Sequence, residues 1–167
     1  MRHLLILTLL TTLTACGFHL RGSVIIPPYL KTIYLQDARP ATRIAPDLKR
    51  ALQNEGVIVT DDAARANAVL RLQSETFTRR VQAVDASGKA QEYGLRYGVT
   101  FSVLGPDGAA WLSHASVSAS RDLRFDEAAV LGAGGEQEQL QAEMRAEVVR
   151  GILRQLARVT PVVEVAQ

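Results

Sequence analysis

The chain has 167 residues, with 19 Lys and Arg against 17 Asp and Glu and a formal charge of +2. That balance excludes the strongly basic footprint of a nucleic-acid-binding protein, and the length suits one domain with its own core better than two. Cys16 is the single cysteine, so no disulfide can close within the chain.

In chain order, Met1-Arg2-His3 is a short basic start and residues 4–13 are an uncharged run of Leu, Ile and Thr, the layout of a secretory signal. A hydrocarbon core needs roughly 20 apolar residues of helix, so about ten cannot span it. Residues 1–15 are therefore expected to be a targeting segment that is later removed. Leu13-Thr14-Ala15-Cys16 places a branched apolar residue three before the cysteine with two small residues between, which resembles the lipobox of bacterial lipoproteins. The resemblance implies a diacylglyceryl group on the Cys16 thiol, cleavage just before it and acylation of the new amino terminus. A buried structural cysteine is the common alternative, but a residue directly behind a removable apolar segment has no core to sit in. No second apolar run approaches a membrane span, so lipid alone is expected to hold the body to a bilayer; one acyl chain holds marginally, three firmly. Gly17 stands where lipoproteins kept in the inner membrane commonly carry Asp, and by resemblance this directs the chain to the outer membrane, facing the periplasm.

Residues 16–28 read as a lipid-anchored tether ending in Pro27-Pro28, which favours an extended, stiff conformation. Residues 29–160 read as the single domain. A strand is expected over residues 30–36, then a turn to Pro40. Over residues 42–55, Ile44, Leu48, Ala51 and Leu52 fall on one helical face, with Pro46 tolerated in a first turn and Gly56 as a left-handed stop. Residues 57–59 form a short strand, and residues 61–67 a loop or a single helical turn. A longer strand starts at Val69, with Leu70 and Leu72 on one side and Arg71, Gln73 and Glu75 on the other, and runs on past Thr78 towards Val84. Asp85 to Lys89 is its turn. The clearest period-2 signal spans residues 93–103, where Tyr93, Leu95, Tyr97, Val99, Phe101 and Val103 share a parity opposite Gly94, Arg96 and Gly98. After the Gly105-Pro106-Asp107-Gly108 turn, residues 109–123 return as its antiparallel partner, carrying His114, Ser116, Ser118 and Ser120 on the polar parity. Residues 125–135, with three glycines and no clean period, read as a loop. A final helix over residues 136–160 carries a Leu140, Met144, Val148, Ile152, Leu156 stripe and ends before Pro161. Residues 161–167 are a short tail. The order β-α-β-β-β-β-α, with two one-sided helices and one apolar sheet face, predicts an α+β two-layer sandwich: two helices on one face of a mainly antiparallel sheet of four to five strands.

No residues suggest catalysis or a cofactor. Behind the signal only His19 and His114 remain, too few and too isolated for a metal site. There is no Gly-x-Ser-x-Gly elbow, phosphate loop or dinucleotide fingerprint, and an envelope hydrolase built on His114 has little to draw on. The polar strand face is more informative: Arg71, Arg79, Arg80, Lys89, Arg96, Arg121 and Arg124 lie on or beside the strands, and guanidinium-rich surfaces meet phosphates or acidic sugars. A merely solubilising face is the plainer reading of the same charges.

Cys16-Gly17-Phe18-His19-Leu20-Arg21-Gly22 is similar to the Cys-Gly-aromatic-His-Leu-Arg start of mature members of the LptE family, the lipoprotein subunit of the outer-membrane lipopolysaccharide-transport machine. The likeness continues through the Tyr29 to Leu35 strand, the helix ending in Glu55-Gly56-Val57, Glu92-Tyr93 at the head of a strand and Glu136-Gln137 opening the last helix. It implies a non-enzymatic plug seated in the β-barrel protein LptD, aiding its assembly and binding lipopolysaccharide on its way to the outer leaflet. It further implies that Arg79, Arg80, Lys89, Arg121 and Arg124 meet lipid A phosphates and that residues 125–135 line the barrel. A lipoprotein scaffold of some other envelope complex, without glycolipid binding, is the rival reading.

Overall fold

The computed structural model of the chain describes residues 24–37, 42–124 and 133–161. The expected signal, Cys16, most of the tether, residues 125–132 of the expected loop and residues 162–167 lie outside the described residues. Five strands, β1 (Thr32–Asp37), β2 (Ile58–Thr60), β3 (Ala68–Val84), β4 (Ala90–Leu104) and β5 (Ala110–Arg124), form one sheet in the order β2-β1-β3-β4-β5. β1 runs parallel to both β2 and β3, whereas β3, β4 and β5 form an antiparallel meander. Helices α1 (Ile44–Asn54) and α2 (Ala133–Leu156) pack on one face, giving the expected two-layer α+β sandwich on a mixed sheet.

Alternation on β4 builds the core. Leu95, Tyr97, Val99, Phe101 and Val103 are buried beneath the helices, joined by Leu70 and Leu72 of β3 and Ala115, Ala119 and Leu123 of β5. Leu48 and Leu52 of α1 and Met144, Val148, Ile152 and Leu156 of α2 close on them from above. Each such side chain contributes about 1.5–3 kcal/mol by leaving water, so the apolar stripes of both helices fix their placement.

α1 begins two residues before Pro46, whose missing N–H falls in the first turn where it has no helical acceptor. At the other end Gly56 takes φ 79°, Val57 N–H donates to the Leu52 carbonyl and Gly56 N–H to the Gln53 carbonyl. That pair of bonds satisfies two orphan carbonyls and turns the chain into β2. Asp62 accepts from Ala64 N–H at 3.0 Å and caps a 3₁₀ turn over Ala63–Arg65. α2 starts at Ala133, so residues 133–135 are helical and the expected loop is shorter at its end. Each glycine there weakens a helix by about 1 kcal/mol, less than the gain from a long helix already packed on the sheet. The helix ends at Leu156, before the expected Thr160, with tighter turns carrying the chain to Pro161.

Two features shape the sheet beyond the alternation. β3 has a bulge: Leu72 pairs with Phe101 and Ser74 with Thr100, so Gln73 is an extra residue. Downstream of it the strand exchanges faces, which puts Glu75, Phe77 and Arg79 under the helices and Thr76, Thr78 and Arg80 outside. β1 reaches only to Leu72, so the rest of β3 extends with β4 and β5 as a three-stranded ribbon. Gly151 of α2 allows the helix to lie close on β5, since a Cβ there would stand 2.4 Å from Val117 Cγ1.

Residues 24–30 are docked across the near end of the sandwich. Val24 and Ile26 pack against the core, Val24 N–H donates to Glu55 Oε2 at 3.2 Å, and the Tyr29 hydroxyl donates to the Val159 carbonyl. The Tyr29 ring meets Trp111 edge-on with centroids 5.8 Å apart.

Candidate functional site on the uncovered sheet face

No described element covers the second face of the β3-β4-β5 ribbon. Its register is a grid: Thr76, Gly98 and Ser118 form one row, Thr78, Arg96 and Ser120 the next, Arg80, Gly94 and Asp122 the third. Glycines before and after Arg96 on the same face leave its side chain with nothing beside it along β4. The result is an open trough of about 690 Å³ lined by Thr76, Thr78, Arg80, Arg96, Ser120 and Asp122 among others. Arg96 Nη2 donates to Ser118 Oγ at 3.0 Å, and the Thr76 hydroxyl donates to the Gly98 carbonyl at 3.3 Å. Gln82 lies over Gly94 so closely that a Cβ there would stand 2.2 Å from its Nε2.

The five basic residues singled out from sequence do not share one surface. Arg80 and Arg124 lie on the uncovered face, both exposed. Lys89 is at the β3–β4 turn. Asp85 accepts there from Ser87 Oγ at 2.7 Å, Ser87 N–H at 2.8 Å and Lys89 N–H at 3.0 Å, and the Ser87 hydroxyl foremost, then the Lys89 amide, holds its carboxyl below the ordinary 3.8. Gly88 completes the turn at φ 82°. Arg79 and Arg121, by contrast, face α2. Arg79 stacks on the Tyr93 ring at 3.6 Å and donates to Gln137 Oε1 at 3.0 Å; Arg121 pairs with Glu147 at 2.6 Å. The bulge at Gln73 accounts for Arg79, and Arg121 shares the inward parity of Leu123.

A polar network under the helices holds this geometry from behind. The Tyr97 hydroxyl donates to Glu75 Oε1 at 2.5 Å, and Arg145 of α2 pairs with Asp47 of α1 at 2.9 Å. Burial first, and then the bond to Glu75 and its charge, push the Tyr97 phenol well above its ordinary 10.0. Among the described residues no group of three or more His, Cys, Asp or Glu side chains could hold a metal ion, and no helix is long and apolar enough to cross a membrane.

Residues 30–156 match the family model described as LptE, lipopolysaccharide-assembly. The chain belongs to the LptE family. The LPS-assembly lipoprotein LptE of Photorhabdus laumondii is 32% identical over 163 residues, covering 95% of this chain and 88% of that protein. Its counterpart from Pectobacterium atrosepticum is 31% identical over 161 residues, with 93% and 86% covered. Among solved structures, lipoprotein B of Nitrosomonas europaea superposes with a TM-score of 0.72 at 27% identity, covering 84% of this chain and 90% of that one. The rare lipoprotein B of Shewanella oneidensis gives 0.66 at 26%, covering 76% and 94%. The LptE relationship makes this an envelope lipoprotein of lipopolysaccharide assembly and not an enzyme. Within the LptE domain, Arg96 is the residue that sequence reasoning placed only in the wider basic group. The Gly94-Leu95-Arg96-Tyr97-Gly98 pattern, read as one strand, already isolates it between two glycines.

Proposed function

We propose that the chain is anchored through lipid on Cys16 to the periplasmic side of the outer membrane, seats in the LptD β-barrel as a plug that helps the barrel assemble, and binds lipopolysaccharide in transit. The observation that supports this most is a family match over residues 30–156, on a sandwich whose second sheet face carries Arg80, Arg96 and Arg124 with no described element over it. A helix-backed, polar-faced slab suits a partner that surrounds it. Its exposed guanidiniums offer charge-assisted contacts to phosphate or carboxylate, worth roughly twice a neutral hydrogen bond. Of the five sequence candidates, Arg80, Lys89 and Arg124 are proposed as the ligand-facing cations, and Arg79 and Arg121 as ties between the sheet and α2.

Affinity purification of the tagged full-length chain from detergent-solubilised outer membranes tests this. A large β-barrel protein and lipopolysaccharide are expected to copurify, and charge reversal at Lys89 or Arg124 is expected to reduce the lipopolysaccharide while leaving the barrel. Recovery with other envelope proteins and no barrel would establish the scaffold reading instead.

A further inference from the structure

We propose that the trough around Arg96 binds an acidic glycan, with Arg80 and Arg96 on the acid group and Asp122 with the neighbouring hydroxyls on the sugar. This rests on the lipopolysaccharide reading above and assigns to this face the charged sugar portion of such a ligand, not its acyl chains.

Shape, charge and polarity each support the assignment. Gly98 leaves a floor on one side of Arg96 on which a ring can lie flat, Gln82 lies over Gly94 and closes the other side with an amide, and about 690 Å³ is within the range of small-ligand sites. Arg80 makes no hydrogen bond or ion pair among the described residues, and Arg96 spends one N–H on Ser118 Oγ, leaving most of its five donors for a planar, two-oxygen acid group. Asp122 and Arg80 stand on either side of Gly94, which Gln82 overlies, and make no ion pair with each other among the described residues. A carboxylate can only accept hydrogen bonds, so it pairs with sugar hydroxyls and repels a second anion. That selects a sugar bearing one acid group over a bare polyphosphate. Thr76, Thr78 and Ser120 add hydroxyls that can both donate and accept. The side chains that the three central rows direct outward are polar and Val81 is the one exposed apolar side chain in the lining, so an acyl chain would find little apolar surface here.

The test is titration calorimetry of the full-length protein in detergent with the core oligosaccharide of lipopolysaccharide stripped of all acyl chains, with inorganic phosphate and intact lipopolysaccharide as parallel arms. The oligosaccharide is expected to bind, Arg96→Gln to weaken it about tenfold or more, Arg80→Gln to weaken it less, and Arg79→Gln, on the opposite face, to leave it unchanged. Circular dichroism verifies each fold, and Arg80→Gln carries the test if Arg96→Gln does not fold. Unchanged oligosaccharide affinity in the folded variants, binding by phosphate as tight as by the glycan, or binding of intact lipopolysaccharide alone would each overturn the proposal. In those cases copurification of the barrel and binding of intact lipopolysaccharide still stand as separate readouts of the broader reading, which falls only if both are absent.

Discussion

Replacing Gly151 by alanine pits helix propensity against packing at one atom. Alanine in a helix interior is worth about 1 kcal/mol over glycine, so at an open position the change would stabilise. Here the new methyl would lie 2.4 Å from Val117 Cγ1 and 3.6 Å from Val117 Cβ. Carbon atoms at rest sit about 3.5–4.0 Å apart, and Val117 is β-branched with little freedom at χ1, so α2 must lift or Val117 must leave its rotamer. Overpacking of this kind costs about 1–3 kcal/mol. The net expectation is a loss of about 1 kcal/mol, or about 2–4 °C in Tm for a chain of this size. The same substitution beside Val117→Ala meets only the remaining Cβ of position 117, at an ordinary 3.6 Å, and should stabilise relative to Val117→Ala alone by up to about 1 kcal/mol. Urea denaturation of the four proteins, followed by circular dichroism, reads the cycle. If Gly151→Ala stabilises both backgrounds equally, α2 is free to move and the close approach does not constrain it.

Tyr97→Phe removes the donor to Glu75 and is expected to cost about 1–3 kcal/mol, measured by the same denaturation. Because the folded phenol titrates above the unfolded value of 10.0, its contribution is complete below about pH 10 and declines as pH rises beyond it; Tyr97→Phe should flatten that alkaline decline, and an unaltered slope would count against the bond. Asp85→Ala should speed amide exchange at Ser87 and Lys89 without moving the global Tm. In the parent, the same turn should loosen only as pH falls from about 3.8 through the lower value of folded Asp85, because a depressed carboxyl stabilises above its unfolded pKa. Gly56→Ala should lower stability by about 1 kcal/mol, since φ 79° strains any side chain even though nothing stands within 4 Å of a Cβ there.

Much of this fold is local and therefore legible. Alternation from Tyr93 to Val103 named the buried face of β4 residue by residue, and Gly56 marked the end of α1 because a left-handed stop has a residue preference of its own. Pairing is not local. Nothing in Thr32–Asp37 announces that β1 runs between two strands parallel to it, since that depends on where the crossovers land. The bulge at Gln73 is equally silent: Gln, Ser, Glu and Thr tolerate either face, so only the register against β4 reveals that the strand changes sides there. Strict alternation from Leu72 would have turned Arg80 inward and Arg79 outward. The candidate surface was accordingly visible as a set of cations, and Arg80 and Arg124 were among them. Its centre at Arg96, and the commitment of Arg79 and Arg121 to α2, required the sheet to be assembled first.

The docking of residues 24–30 also sets a load path. Tension applied upstream of Val24 enters through the Glu55 carboxylate at the end of α1 and is passed by Tyr29 to the carbonyl of Val159, just beyond α2. Both helices are thus tied to this segment at the same end of the slab, so a load entering there is shared between them before it reaches the sheet.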